Sequence, residues 1–207
     1  MAPGELGADA PTKLFNLVLL FHNLKGYDSH HVVKCFKRKY TERISANGKK
    51  TYDDVKVIAQ TTEKFITFSI ENLVFVDSFA FLSSSLQSLV AILLKGGKEK
   101  FEHTAEHFKT SESVYQKGVF PYNYVTDDDK LNRTSLPEIE AFYDDLNDEP
   151  CAPVDYQRAK DAWVEFGMTD MREYQNHYLT TDVLLLADVF ENFRQGIYRE
   201  REHPAAR

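Results

Sequence analysis

The chain has 207 residues, 43% of them apolar, and a formal net charge of −7. This allows one globular domain, or one with a small annex, around an ordinary core, and no run of residues is long and apolar enough for a transmembrane helix. The acidic balance argues mildly against nucleic-acid binding. Cys35 and Cys151 have no metal-ligand spacing and read as reduced thiols of an intracellular protein, nuclear or cytoplasmic rather than secreted.

In chain order, residues 1–13 are rich in Ala, Pro and Gly and read as a disordered tail. Leu14 to Phe21 is a continuous apolar run, the pattern of a buried strand. Asp28-Ser29 can cap a helix running to about Tyr40, and Ala46-Asn47-Gly48-Lys49 is a turn. Strands are predicted over Val55 to Ala59, Phe65 to Ile70 and Leu73 to Asp77. The last two are separated by Glu71-Asn72, a two-residue hairpin signal. A helix from Ser84 to Leu94 is stopped by Gly96-Gly97, and a short one spans Phe101 to Phe108. Pro121 to Arg133 reads as a polar loop, followed by helices over Leu136 to Leu146, Val154 to Phe166 and Met171 to Phe193. Strands early and helices late give an α/β chain with a mixed sheet flanked by helices, expected as one domain over residues 14–194.

Charge is unevenly spread. Lys34, Lys37, Arg38, Lys39, Arg43, Lys49 and Lys50 crowd one stretch against Glu42 alone, whereas Asp127 to Glu173 holds 14 acids and 5 bases. Both stretches are equally well read as solvated surface.

The residues with chemistry fall in separated motifs. Asn23-Leu24-Lys25-Gly26-Tyr27-Asp28 follows the first strand, and Tyr178-Leu179-Thr180-Thr181-Asp182 opens the apolar half of the last helix. Asp28 alone reads as a helix cap. Tyr178 and Asp182 are four apart on a helix and share a face, on which an acid needs a charge partner, a backbone amide or a metal. Two carboxylates brought to one point repel and need a cation, and hard divalent ions prefer oxygen ligands. Asn23 and Tyr27 suit contact with a sugar and a base, or an Asx turn and a core ring. Ser85-Leu86 can be a cap followed by a core residue, and Lys117 an exposed amine or a phosphate partner. His103 and His107 stand i, i+4 beside Glu102 and Glu106 but lack a third ligand, which favours a solvated face. Asp127-Asp128-Asp129 lacks the spacing of a calcium loop and reads as a turn.

Taken in order, these segments resemble the family B DNA polymerases, in particular their protein-primed branch of viral, organellar and transposon enzymes. Asn23-x3-Tyr27-Asp28 is similar to the second exonuclease motif and Tyr178-x3-Asp182 to the third. Ser85-Leu86-Gln87-Ser88-Leu89 and Lys117-Gly118-Val119-Phe120 are similar to the two elements between them. The resemblance covers roughly Leu14 to Arg194, leaving 195–207 as a tail outside it. It implies a ribonuclease-H-like exonuclease fold and a two-metal site using Mg²⁺ or Mn²⁺, with Asp28 and Asp182 as ligands. It assigns catalytic roles to Tyr178 and Lys117, and contact with single-stranded DNA to Asn23, Tyr27, Ser85 and Leu86. The partners it implies are the 3′ end of single-stranded DNA and a terminal priming protein, with no membrane.

The family's Asp-x-Glu motif does not occur before Asn23, where the only acids are Glu5 and Asp9, and no polymerase palm motif follows. The expectation is therefore an exonuclease region of a DNA-directed DNA polymerase, truncated at its N-terminal strands and inactive alone. The alternative is a non-catalytic nucleic-acid-binding or protein-interaction module derived from a mobile element.

Overall fold

The computed structural model describes residues 15–24, 32, 43–44, 50–51, 55–61, 64–70, 72–109, 111–145 and 147–202. The chain forms two compact units, Met1–Ser83 and Ser84–Arg207, both of which the expected domain over 14–194 spans.

The first unit contains a four-stranded mixed sheet in the order β1-β6-β5-β4. Its strands are β1 (Leu17–Phe21), β4 (Val55–Thr61), β5 (Lys64–Ile70) and β6 (Leu73–Asp77), while β2 (Arg43–Ile44) and β3 (Lys50–Thr51) make a separate antiparallel pair. Chain connectivity explains the mixture. β4, β5 and β6 are consecutive and pair antiparallel, and Ile70 opposite Leu73 leaves the two-residue connection expected at Glu71-Asn72. β1 instead runs parallel to β6, in register from Leu17↔Leu73 to Phe21↔Asp77. Alternation along β5 and β6 turns Phe68 and Phe75 to one face, where their rings stack at 4.4 Å and join the fully buried Leu24. The expected helix after Asp28 is described only at Val32, and the turn at 46–49 lies outside the described residues.

The parallel register brings the ends of β1 and β6 together. Asp77, buried at the end of β6, accepts the backbone N–H of Asn23 at 2.8 Å and of Phe79 at 3.0 Å. Ser78 Oγ donates to the carbonyl of Phe21 at 2.8 Å and bonds His22 Nδ1 at 2.9 Å. Asn23 has φ +67°, a left-handed conformation that asparagine tolerates better than most residues.

The second unit is helical: α1 (Leu86–Lys95), α2 (Glu102–Phe108), α3 (Asp128–Leu131), α4 (Pro153–Glu165) and α5 (Met171–Glu202). Three of the starts are marked in the local sequence. Ser85 Oγ accepts from Ser88 N–H and caps α1, Asp127 caps α3, and Pro153 opens α4 where its missing N–H is harmless. α4 ends at Gly167, whose φ of +59° suits a left-handed stop. The 32-residue α5 is the spine. Met171, Tyr174, Tyr178, Thr181, Leu185, Asp188 and Val189 are buried, a stripe at three- and four-residue spacing. Phe142, Ala159, Met168, Met171 and Tyr174 form the core around which α4 and α5 meet.

Three expectations need correction here. The loop over 121–133 contains the turn of helix α3, because Asp127 accepts the N–H of Lys130. The helix expected over Leu136 to Leu146 is only a 3₁₀ turn, Ile139–Phe142. Asp144 accepts the backbone and side-chain amides of Asn147, and Asp144 and Glu149 exchange backbone hydrogen bonds, so local Asx chemistry competes with the helix and wins. α5 also runs past the expected end at Phe193. No described helix is long and apolar enough to cross a membrane.

Candidate functional site

α5 sets Tyr178 and Asp182 one turn apart on the same face, as their spacing requires. Between α2 and Pro121 the chain runs as an irregular strap, 111–120, that crosses this face. It can do so closely because residue 118 is glycine: a Cβ there would stand 3.3 Å from Tyr178 Cδ2. Beside that contact Lys117 Nζ donates to Tyr178 Oη at 2.9 Å and stands 3.6 Å from Asp182 Oδ2. Phe120 stacks on the Tyr178 ring with centroids 5.2 Å apart, and Tyr174 Oη donates to the Val119 carbonyl at 2.6 Å.

The three expected residues Lys117, Tyr178 and Asp182 thus form one cluster, and a fourth joins them. Tyr122, 65% exposed, hydrogen-bonds through its hydroxyl to Tyr178 Oη at 2.8 Å. Nothing local in the sequence distinguishes Tyr122 from its neighbours; its partner lies 56 residues away.

The electrostatics set this cluster apart. Burial pushes the Asp182 carboxyl above its ordinary pKa of 3.8, against the opposing pull of the Lys117 ammonium and the Tyr178 hydroxyl. Its Oδ1 is buried and, among the described residues, is the only such side-chain oxygen or nitrogen with no hydrogen-bond partner. Burial, followed by the Asp182 charge and the Tyr122 hydroxyl, raises the Tyr178 phenol well above 10.0. A buried acceptor left open is unfavourable by about 1–3 kcal/mol, and perturbed groups that converge in this way are commonest at functional sites.

An open carboxylate oxygen has the chemistry of one ligand for a hard cation. It does not complete a shell: among the described residues no group of three or more His, Cys, Asp or Glu side chains could hold a metal ion. Asp28 and Tyr27 lie outside the described residues. Asn23, with an exposed side chain, is held in the first unit by Asp77. Ser85 is the cap of α1 and Leu86 its first core residue, 9% exposed. His103 and His107 are exposed on α2.

Residues 12–203 match the family described as DNA polymerase type B, organellar and viral. The chain belongs to that family. The match reaches beyond Arg194 to the last turn of α5. No curated protein matches the chain, and no solved structure does. Membership makes DNA the substrate class of this type B polymerase chain, and divalent metals the ions its family generally uses. Within it, the strap and α5 supply the charged and phenolic groups that converge on Asp182.

Proposed function

We propose that the chain is the 3′–5′ exonuclease region of a protein-primed type B DNA polymerase and that its second unit engages the 3′ end of single-stranded DNA. The observation that supports this reading most is the convergence of Lys117 and Asp182, from two separate motifs, on Tyr178.

The roles follow from the chemistry. A divalent cation on Asp182 would polarise a phosphate oxygen and acidify a bound water. The Tyr178 hydroxyl, kept protonated by burial, orients a water or phosphate oxygen as a neutral donor. Lys117 sets a positive charge where negative charge develops on the phosphoryl oxygens. The exposed Tyr122 ring offers a stacking surface for the terminal base. Asn23 is exposed at the end of β1, and the family resemblance would give Tyr27 a base contact and Asp28 a second metal-binding carboxylate. Ser85 and Leu86 act first as the cap and core of α1, with contact to DNA through the exposed Ser85. The resemblance adds a priming protein as a partner.

With no Asp-x-Glu ahead of Asn23, nucleotide release by this chain alone is expected to be slow even with Mn²⁺. The experiment that tests the reading is therefore binding. Fluorescence anisotropy should show salt-sensitive binding of a short single-stranded oligonucleotide in preference to a duplex. Lys117→Ala should lower the salt slope by about 1. A folded chain that binds neither form, or does not distinguish them, contradicts the proposal. Binding without any hydrolysis, even when a peptide supplying an Asp-x-Glu strand is added, would assign the chain to non-catalytic DNA binding instead.

A further inference from the structure

The strap that carries Lys117 has no helix or sheet ladder to fix it. Side chains tether it instead. Ser113 Oγ donates to Glu165 Oε2 at 2.6 Å, Arg158 Nη1 donates to Gln116 Oε1 at 2.7 Å, and Tyr174 Oη holds the Val119 carbonyl. Lys117 lies between the last two tethers. Arg158 is itself oriented: its other terminal nitrogen pairs with Asp155, one turn earlier on α4. A planar guanidinium held on one side points its remaining donors in a fixed direction, here at the residue next to Lys117.

We propose that Arg158 is a positioning residue for Lys117, the Asp155–Arg158–Gln116 relay setting the strap so that the ammonium meets Tyr178 and Asp182. Lysine has a long flexible stem, and its terminal position is only as definite as its backbone. A displacement of about 1 Å at a positioned group is enough to degrade a site. The relay is half-buried, with 32% of the Arg158 and 27% of the Asp155 side chain exposed, so water competes only partly for its bonds. Its consequence for DNA rests on the exonuclease reading; the placement of Lys117 does not.

The test is the acetylation rate of individual lysines, read by mass spectrometry on the full chain, with Lys95 and Lys130 as internal standards. Arg158→Ala and Gln116→Ala should each release Lys117 and speed its modification on the order of tenfold, the worth of a hydrogen bond to a charged group. The standards should not change. Gln116→Ala removes only the acceptor and leaves α4 intact, so it covers the case in which Arg158→Ala fails to fold. Arg158→Lys should not restore the slow rate, because a single ammonium cannot hold Asp155 and Gln116 in the same fork. An unchanged Lys117 rate in folded Gln116→Ala, or full rescue by Arg158→Lys, overturns the proposal. If Lys117 responds but the unaltered chain does not bind DNA, the exonuclease reading fails and the positioning role stands.

Discussion

Asp188 caps a helix far from it in the chain: its carboxylate accepts the backbone N–H of Thr104, 84 residues earlier, at 3.0 Å and the hydroxyl of Thr104 at 2.6 Å. It also takes the N–H of His103 at 2.8 Å. α2 has no side-chain cap of its own, since Phe101 occupies that position, and a carboxylate on α5 satisfies the open donors instead. The two aspartates of α5 are therefore different in kind. Asp188 has its oxygens engaged, whereas Asp182 keeps one open.

Asp188→Ala should consequently be severe. It leaves the buried N–H and hydroxyl of Thr104 unpaired, each unfavourable by about 1–3 kcal/mol. Urea denaturation should show the second unit losing at least that much stability, and hydrogen exchange should show α2 opening first. Wild-type stability in Asp188→Ala would show that the cap is dispensable.

Asp182→Asn should behave oppositely. The Asp182 carboxyl has a folded pKa above 3.8 because burial disfavours its charge. The folded state therefore holds that proton more tightly than the unfolded state. The associated stability is complete below 3.8 and is lost as pH rises through the folded value, where the charged form carries the burial penalty. A neutral amide escapes it. Thermal melts at neutral pH should find Asp182→Asn at least as stable as the parent, with a smaller fall in stability between acid and neutral pH. Marked destabilisation would assign Asp182 a structural role.

Tyr178 should remain protonated while exposed tyrosines ionise. Its phenol is raised above 10.0 chiefly by burial, so the stability tied to its proton is present below pH 10 and lost above it. An ultraviolet titration of phenolate in the parent and in Tyr178→Phe should differ by no step in the ordinary tyrosine range. A step near pH 10 that Tyr178→Phe removes would contradict the buried, hydrogen-bonded hydroxyl.

Ser85 separates cap from contact. Ser85→Ala should cost about 0.5–2 kcal/mol through loss of the α1 cap, whereas Ser85→Asp keeps a capping oxygen and adds a negative charge. If Ser85 faces DNA, the aspartate variant should be as stable as the parent and bind single-stranded DNA more weakly. Equal binding by both would leave Ser85 a cap alone.

What the sequence made readable follows the range of the interaction. β6 ends where expected, at Leu73 and Asp77, because alternation and the Glu71-Asn72 signal are local. α4 is bounded by Pro153 and Gly167, again local chemistry. Tyr178 and Asp182 share a face because helical spacing dictates it. The helix expected at 136–146 failed on an Asx turn whose competing bonds involve Asp144, Asn147 and Glu149. Tyr122 and Arg158 escaped notice because their partners, Tyr178 and Gln116, lie 56 and 42 residues away. The cap by Asp188 was equally unreadable, because its partners His103 and Thr104 lie 85 and 84 residues away.

The central claim is that Lys117, Tyr122, Tyr178 and Asp182 receive the 3′ end of a DNA strand. A single-stranded oligonucleotide with a photoreactive base at its 3′ terminus, cross-linked to the folded chain in Mg²⁺ and mapped by peptide mass spectrometry, tests it most directly. The prediction is labelling concentrated in the peptides carrying Lys117 to Tyr122 and Tyr178 to Asp182, lost when the photoreactive base is moved to the 5′ end and weakened in Lys117→Ala. Labelling that is equal for both ends, or that falls elsewhere on the folded chain, would contradict it.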